Sequence, residues 1–384
     1  MKMPSILMIS HSAETSGAPR VLLDVADILR KHYHVTLLFP AHGPMTDLAA
    51  KCGHEVIVVP NPQKGLSECR SLMEKARLLF GRIRHILGVR RVARKGRYDL
   101  IYLNSSASLY SGIGLFMTPY RRLWHMHEDL SQNSPGAWIK RRVIAHRCAL
   151  VIFVSPSNAG IFGGPPTDIA WRTIPNGVEV GHFVNPAEDS EYRARYQDCP
   201  ENLCVGTLSF ISHRKGIDIF LQAMERVCRH HPEVRAVIPG DLSAAETDYA
   251  ALIGELANRP GLSGRVFFPG YCRNAPGYLT SLTLFVLPSR NDPMPLSVLE
   301  AMAAGKAIVA TDVGCVREML NPPECGIIVP PGDSTALADA ILKALDNPGK
   351  LKDMGKAARK RAGLHYSPER FQSEILSAVR DALQ

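Results

Sequence analysis

The chain has 384 residues, 46% of them apolar and 21% charged, and a formal net charge of +9. That length suits about two domains at roughly 100–200 residues each, and the composition is that of a globular protein rather than a disordered or fibrous one. No run approaches the roughly 20 apolar residues of a membrane span, and nine cysteines, an odd number without a Cys-x-x-Cys pair, argue against a disulfide framework or a zinc ribbon.

The opening stretch, MKMPSILMISHSAETSGAPR, has a short apolar run but no basic leader, long apolar region or small-residue cleavage site. It is read as a first β-strand rather than a signal peptide, so a cytoplasmic or peripheral membrane enzyme is expected. Further strands are expected at Val35–Phe39, Val56–Val59, Leu100–Asn104, Leu123–Met126 and Val151–Ser155, after a first at Ile6–Ser10. Helices are expected at Pro19–Arg30, Arg77–Arg97 and Trp138–Arg147.

Residues 181–201 are polar and aperiodic, and read as a linker with one short helix. The alternation then restarts. Strands are expected at Leu203–Gly206, Val234–Pro239, Val266–Phe268, Leu284–Leu287, Ala307–Ala310 and Ile327–Val329. Helices are expected at Ile217–Arg229, Ala245–Ala257, Pro295–Ala304 and Thr335–Leu345. Near-continuous apolar strands alternating with helices indicate the α/β class, with parallel sheets covered on both faces. The expected organisation is a first domain over 1–180, the linker 181–201, a second domain over 202–365 and a C-terminal helix within 366–384 packing back on the first. Two such sheets with a cleft between them would share one ligand site at the carboxyl ends of their strands.

The charge is uneven. Arg77–Arg97 holds eight Lys/Arg and no acid, interleaved with Leu78, Leu79, Ile83, Ile86, Leu87, Val89 and Val92. Such a basic amphipathic helix either lies on an anionic membrane surface or packs its apolar side on its own domain. Nucleic acid is a poor fit, because aromatics are few and no recognised binding motif accompanies the charge.

Four stretches carry chemistry. In SRNDPMPLSVLEAMAAGKAIVAT, Pro295 suits the start of a helix and Gly305 the residue past its end. The amides of Leu296 and Ser297 then form an anion site. Glu300, one turn in, can accept two hydroxyls of a vicinal diol such as a ribose, and Asp292 hydroxyls of a second sugar; alternatively both acids only complement the helix dipole. In VGTLSFISHRKGIDIF, Arg214 and Lys215 stand at the head of a helix, where cations oppose the dipole unless an anion lies between; they either bind a phosphate or form a solvent-facing basic loop. In SHSAETSGAPRVLL, Gly17 lets a ligand approach the backbone or simply makes a turn, and the stretch is not a nicotinamide fingerprint. In LWHMHEDL, His125 and His127 fall on one face if the strand continues, followed by Glu128 and Asp129. They suit a sugar hydroxyl or proton exchange better than a metal, since no third ligand is visible; alternatively they are structural histidines with their hydrogen bonds satisfied. No nucleophile elbow, P-loop, His-Glu-x-x-His or Asp-x-Asp occurs, which argues against a metal-dependent sugar transferase of the single-domain type.

Taken in order, these blocks resemble glycosyltransferase family 4, retaining nucleotide-sugar transferases of the GT-B fold. The resemblance runs from TSGAPRVLL through HMHED, VSPSNAG, IPNGVEVGHF, VGTLS, RKGIDIFLQA, VIPGD and FFPGY to the specific block LPSRNDPMPLSVLEAMAAGKAIVATDVGCVREM. It implies two Rossmann-like domains facing a central cleft, and no metal or other cofactor. It implies a UDP- or GDP-type nucleotide-sugar donor and a glycan or lipid-linked acceptor, as in cell-surface polysaccharide biosynthesis. By position, Glu300 matches the acid that binds the nucleotide ribose and Asp292 the acid at the donor sugar. Lys215 matches the lysine on the diphosphate, Gly17 the first-loop glycine and His127 the histidine at the transferred sugar. Thr207 stands where an arginine is common, with Arg214 as a substitute cation. Asp292 is one methylene shorter than the usual Glu, and Ser16–Gly17 replaces a double glycine. A sugar-nucleotide epimerase of the same fold and a non-catalytic nucleotide-sugar-binding subunit are the alternative readings.

Overall fold

A computed structural model of the chain describes residues 3–63, 65, 68–116, 118–128, 137–161, 169–183 and 203–384. Contacts divide it into one unit of Met1–Pro175 with Phe371–Gln384, and a second of Asn176–Arg370. The second unit begins before the expected linker. Asn176 N donates to Met294 Sδ at 3.5 Å and Val178 N to Tyr366 O at 2.8 Å. Residues 184–202, most of that linker, lie outside the described residues, as does Asp129.

The first unit is built on a parallel sheet: β1 (Ser5–Ile9), β2 (His34–Phe39), β3 (Glu55–Val58), β4 (Leu100–Asn104), β5 (Arg121–Met126), β6 (Cys148–Phe153) and β7 (Trp171–Thr173). Their order is β3-β2-β1-β4-β5-β6-β7. Ile6–Ile9 and Leu100–Leu103 are fully buried, as continuous apolar strands covered on both faces must be. The strand β7 was not among the expected elements; its three residues carry too little pattern to read. The C-terminal helix Pro368–Leu383 is tied to this unit through Arg172, which donates to Ser377 Oγ at 3.0 Å and pairs with Asp381.

The second unit carries β8 (Leu203–Gly206), β9 (Val234–Val237), β10 (Val266–Phe267), β11 (Leu284–Leu287), β12 (Ala307–Thr311) and β13 (Ile327–Val329), all parallel. Their order is β10-β9-β8-β11-β12-β13. In each sheet the order reverses once, between β1 and β4 and between β8 and β11. Ligands bind such sheets beyond the carboxyl ends of the strands at that reversal, and the candidate residues of the sequence lie on loops leaving these strands or a neighbour.

Candidate functional site

In the second unit, β8 exits through Thr207 into a 3-10 turn, His213–Lys215, and then into the helix Ile217–His230. Gly216 caps that helix at φ +67°, and a Cβ there would lie 2.0 Å from Pro288 O. Only glycine lets this turn abut the end of β11. The strand β11 exits through Ser289–Asp292 into the helix Leu296–Ala303. Pro295 is the N-cap at ψ 113°, not the first helical residue, so the helix starts one position later than expected. Past its end Gly305 takes φ +67°. Its N–H donates to Met302 O at 2.9 Å and Lys306 N to Ala301 O at 3.0 Å, a Schellman end. A Cβ at Gly355 would lie 2.1 Å from Gly305 O, so a second small residue lets the helix Pro348–His365 close on this end.

The N-terminus of Leu296–Ala303 has no side-chain cap and no acid in its first turn. Helix geometry leaves the Leu296 and Ser297 amides without intrahelical acceptors. Ser297 is buried, while Leu296 and Glu300 are half-buried. Lys215 Nζ pairs with Asp292 Oδ2, both side chains largely buried. Arg214 is exposed, donates to Asn291 O at 3.0 Å, and stands 4.0 Å from Asp292 Oδ1. Thus the structure brings Lys215 and Arg214, on the turn after β8, to Asp292, on the loop that leads into the uncapped helix and Glu300.

Three buried hydroxyls near the exits of β8 and β11, those of Thr207, Ser209 and Ser289, have no hydrogen-bond partner among the described residues. Thr207 is fully buried; its N–H donates to Val237 O at 3.2 Å and its carbonyl accepts from Tyr278 Oη at 2.7 Å. Buried polar atoms are nearly always paired, so these hydroxyls mark unspent donor capacity at the strand exits.

Two supporting residues were not singled out in the sequence. Arg290 grips Asp218 with both guanidinium nitrogens, at 2.7 and 2.5 Å, and also donates to His213 O at 2.8 Å. Tyr249 Oη donates to Asp218 Oδ1 at 2.7 Å. Despite its burial, these hydrogen bonds hold the Asp218 carboxyl below its usual range. The other is Gly314, at φ +51°, where a Cβ would lie 2.2 Å from Asp292 O. Both residues shape the loops that present Lys215 and Asp292.

In the first unit, Gly17 opens the helix Gly17–Leu29 and is exposed. The preceding Ser16 is its N-cap, again without a side-chain bond. His127 lies just past β5, half-buried, with its ring centroid 4.1 Å from that of His125. Its Nε2 is 2.9 Å from Asn104 Oδ1, and Asn104 Nδ2 donates to Ala18 O at 2.8 Å. Since the Ala18 carbonyl fixes the Asn104 amide, His127 Nε2 is the donor and Nδ1 the acceptor nitrogen. Burial, and then the neighbouring His125, push His127 well below the usual imidazole range. His125, fully buried with Nδ1 2.6 Å from Tyr102 Oη, is lowered by burial to about 3. His11, on the first loop, is also lowered by burial, and its buried Nδ1 has no hydrogen-bond partner among the described residues. Ser105, at the end of β4, is strained at φ +84° and donates its N–H to His125 O at 2.7 Å. The result is a cluster of imidazoles held toward the neutral form at the carboxyl ends of β4 and β5, able to make hydrogen bonds rather than to carry charge. No group of three or more metal-ligating side chains occurs among the described residues.

Residues 15–182 match the model described as Glycosyltransferase Family 4, and residues 190–361 that of Glycosyl transferases group 1. Together the two matches mark the chain as a family 4-like glycosyltransferase. The transferase is 28% identical over 303 residues to a lipopolysaccharide core biosynthesis mannosyltransferase of Rhizobium leguminosarum bv. viciae, covering 78% of this chain and 83% of that one. It is 26% identical over 388 residues to a phosphatidyl-myo-inositol mannosyltransferase of Mycobacterium tuberculosis, covering 94% and 92%. Its fold is that of Anabaena HepE, solved with UDP-glucose, at a TM-score of 0.85 and 24% identity over 98% of this chain and 99% of that one. The transferase therefore has the GT-B fold.

Proposed function

We propose that the protein transfers a sugar, with retention, from a nucleoside-diphosphate sugar to a glycan or lipid-linked acceptor in cell-surface polysaccharide or glycolipid biosynthesis. It works in the cytoplasm, at the inner face of the membrane. The observation that carries the donor assignment is the pairing of Lys215 with Asp292 beside the uncapped helix Leu296–Ala303. UDP in the HepE structures and the mannosyltransferase relatives support the donor and acceptor classes.

In this reading Lys215, Arg214 and the Leu296 and Ser297 amides take the diphosphate, and Glu300 accepts the ribose hydroxyls. Asp292, His127 and Gly17 serve the transferred sugar, and Thr207 turns its hydroxyl to the phosphates. The bond from the anomeric carbon to the phosphate oxygen breaks as the acceptor oxygen bonds to that carbon on the same face. The acceptor proton passes to the departing phosphate. Positive groups already in place stabilise the charge that develops on the leaving group. The family favours transfer over epimerisation.

Glu300→Ala and Lys215→Ala, assayed separately for donor binding and turnover, test the reading. Loss of donor binding in the first and of turnover in the second is expected; full activity in both contradicts it.

A further inference from the structure

The helix Leu72–Gly96 has two apolar faces, and only one is used. The inner face carries Leu78, His85, Val89 and Ala93, all buried. It packs against the segment leaving β3: Cβ atoms at Gly81 and Gly88 would lie 2.6 Å from the Pro62 and Val59 side chains. His85 spans the contact, Nδ1 2.9 Å from Val59 O and Nε2 2.9 Å from Ser111 Oγ. The opposite face is exposed, and it is apolar. Along it Ala76, Phe80, Ile83 and Leu87 recur at steps of three and four, with Phe80 63%, Ile83 52% and Leu87 58% exposed. Leu72 and Leu79 extend the stripe. Arg77, Arg84 and Arg91, seven residues apart, run along one border and are exposed. Over 72–97 the only acid is Glu74, whose carboxylate accepts the Arg70 N–H at 2.9 Å just ahead of the helix, while its own N–H donates to the Ser71 cap at 3.1 Å.

A neighbouring helix repeats the pattern. On Ala137–Ala145, Trp138 is 67% exposed, followed by Ile139, Lys140, Arg141 and Arg142. The short helix Leu109–Gly114 links the two. Arg82 lies over the Tyr110 ring at 4.6 Å, and a Cβ at Gly112 would meet Val143 at 2.9 Å.

We propose that this two-helix face is a docking surface for an anionic lipid bilayer, with the apolar stripe at the level of the acyl boundary and the bordering arginines on headgroup phosphates. The inference rests on the reading of a membrane-linked acceptor and assigns the surface that would meet it. A solvated helix has polar residues outward; this one places aliphatic and aromatic side chains there and flanks them with cations, as a helix lying in the interface requires. Trp at the rim suits the headgroup level. Nucleic acid would meet an apolar stripe where it offers phosphates. No helix among the described residues is long and apolar enough to cross a membrane, so contact is lateral.

The test is co-sedimentation of the full chain with vesicles of phosphatidylcholine alone or mixed with phosphatidylglycerol. Binding is expected to the anionic vesicles and to fall with salt. Arg77→Ala/Arg84→Ala/Arg91→Ala should weaken it about a hundredfold, at roughly fivefold per cation. Phe80→Ser/Ile83→Asn/Leu87→Gln should abolish it. Both variants should keep the wild-type melting temperature and UDP-sugar binding. Wild-type protein that binds nucleotide sugar but no vesicle overturns the docking surface alone. Vesicle binding without nucleotide-sugar binding overturns the proposed function alone. If the apolar variant converts a wild-type dimer to a monomer, and vesicles are ignored, the face is a protein interface and the proposal fails.

Discussion

Arg290 and Asp218 form a bidentate ion pair at 2.7 and 2.5 Å that joins the exit of β11 to the start of the helix Ile217–His230. The Arg290 N–H also donates to Arg214 O at 2.9 Å. One arginine therefore fixes the backbone of the turn carrying Arg214 and Lys215, while standing two residues from Asp292. The clamp does not face the substrate in the proposed reading. It sets where the diphosphate cations stand.

Arg290→Lys keeps the charge but loses the fork. We expect it to raise the donor KM about tenfold with a small change in melting temperature, since misplaced cations bind more weakly. Asp218→Ala strands Arg290 and removes the Tyr249 acceptor, and should cost about 3 kcal/mol, at the lower end for breaking a buried pair. Urea unfolding and steady-state kinetics on the two variants check this; equal effects on KM and stability in both would refute the positioning role.

Gly314→Ala should destabilise by at least about 1 kcal/mol from the left-handed backbone alone. More follows from the Cβ placed 2.2 Å from Asp292 O. The Asp292 loop must move, so turnover should fall with stability. Gly254→Ala, in a helix with open space around it, should be neutral or stabilising in the same urea titration.

Stability should fall on acidification from about pH 6.5. Burial lowers His11, His85, His125 and His127 in the fold, His125 to about 3. The unfolded chain binds protons near pH 6.5 while the folded one does not. Each such group thus contributes stability that is full above that pH and lost as pH drops toward the folded value, with a slope of up to about 1.4 kcal/mol per pH unit. Unfolding free energies across this range check the sign, and His125→Gln should flatten the slope.

Lys215→Ala should reduce turnover by about 10²–10³-fold, the usual cost of losing one preorganised positive contact to a leaving group. It also leaves the buried Asp292 carboxylate without its partner. Adding Asp292→Asn should restore melting temperature without restoring turnover. Recovery of both would make the pair structural only.

Much of this architecture was legible in the sequence because both sheets are buried on two faces, which turns strands such as Leu100–Asn104 and Leu284–Leu287 into uninterrupted apolar runs. The helix Leu296–Ala303 was legible from Pro295 and Gly305. The helix Pro348–His365 was not, because its buried face is made largely of Gly355, Ala358 and Ala362 among many cations. The basic helix begins at Leu72 rather than Arg77; its signal was Ser71 and Glu74, a capping pair three residues apart. In the site, charged and glycine positions stood out by type. Asn104, His11 and Arg290 did not, since their roles come from partners distant in sequence: Asn104 meets His127 and Ala18, and Arg290 meets Asp218 across 72 positions.

The central claim is a nucleotide-sugar site organised by the helix Leu296–Ala303. Its most direct test is the melting temperature of wild type and Glu300→Ala, with UDP, GDP and their sugar conjugates. At about a hundredfold excess over Kd a bound donor adds about 2.7 kcal/mol, a rise of several degrees. The account predicts that rise for one nucleotide class in the wild type and its loss in Glu300→Ala. A wild-type melting temperature unmoved by every nucleotide sugar, or an equal rise in Glu300→Ala, would contradict it.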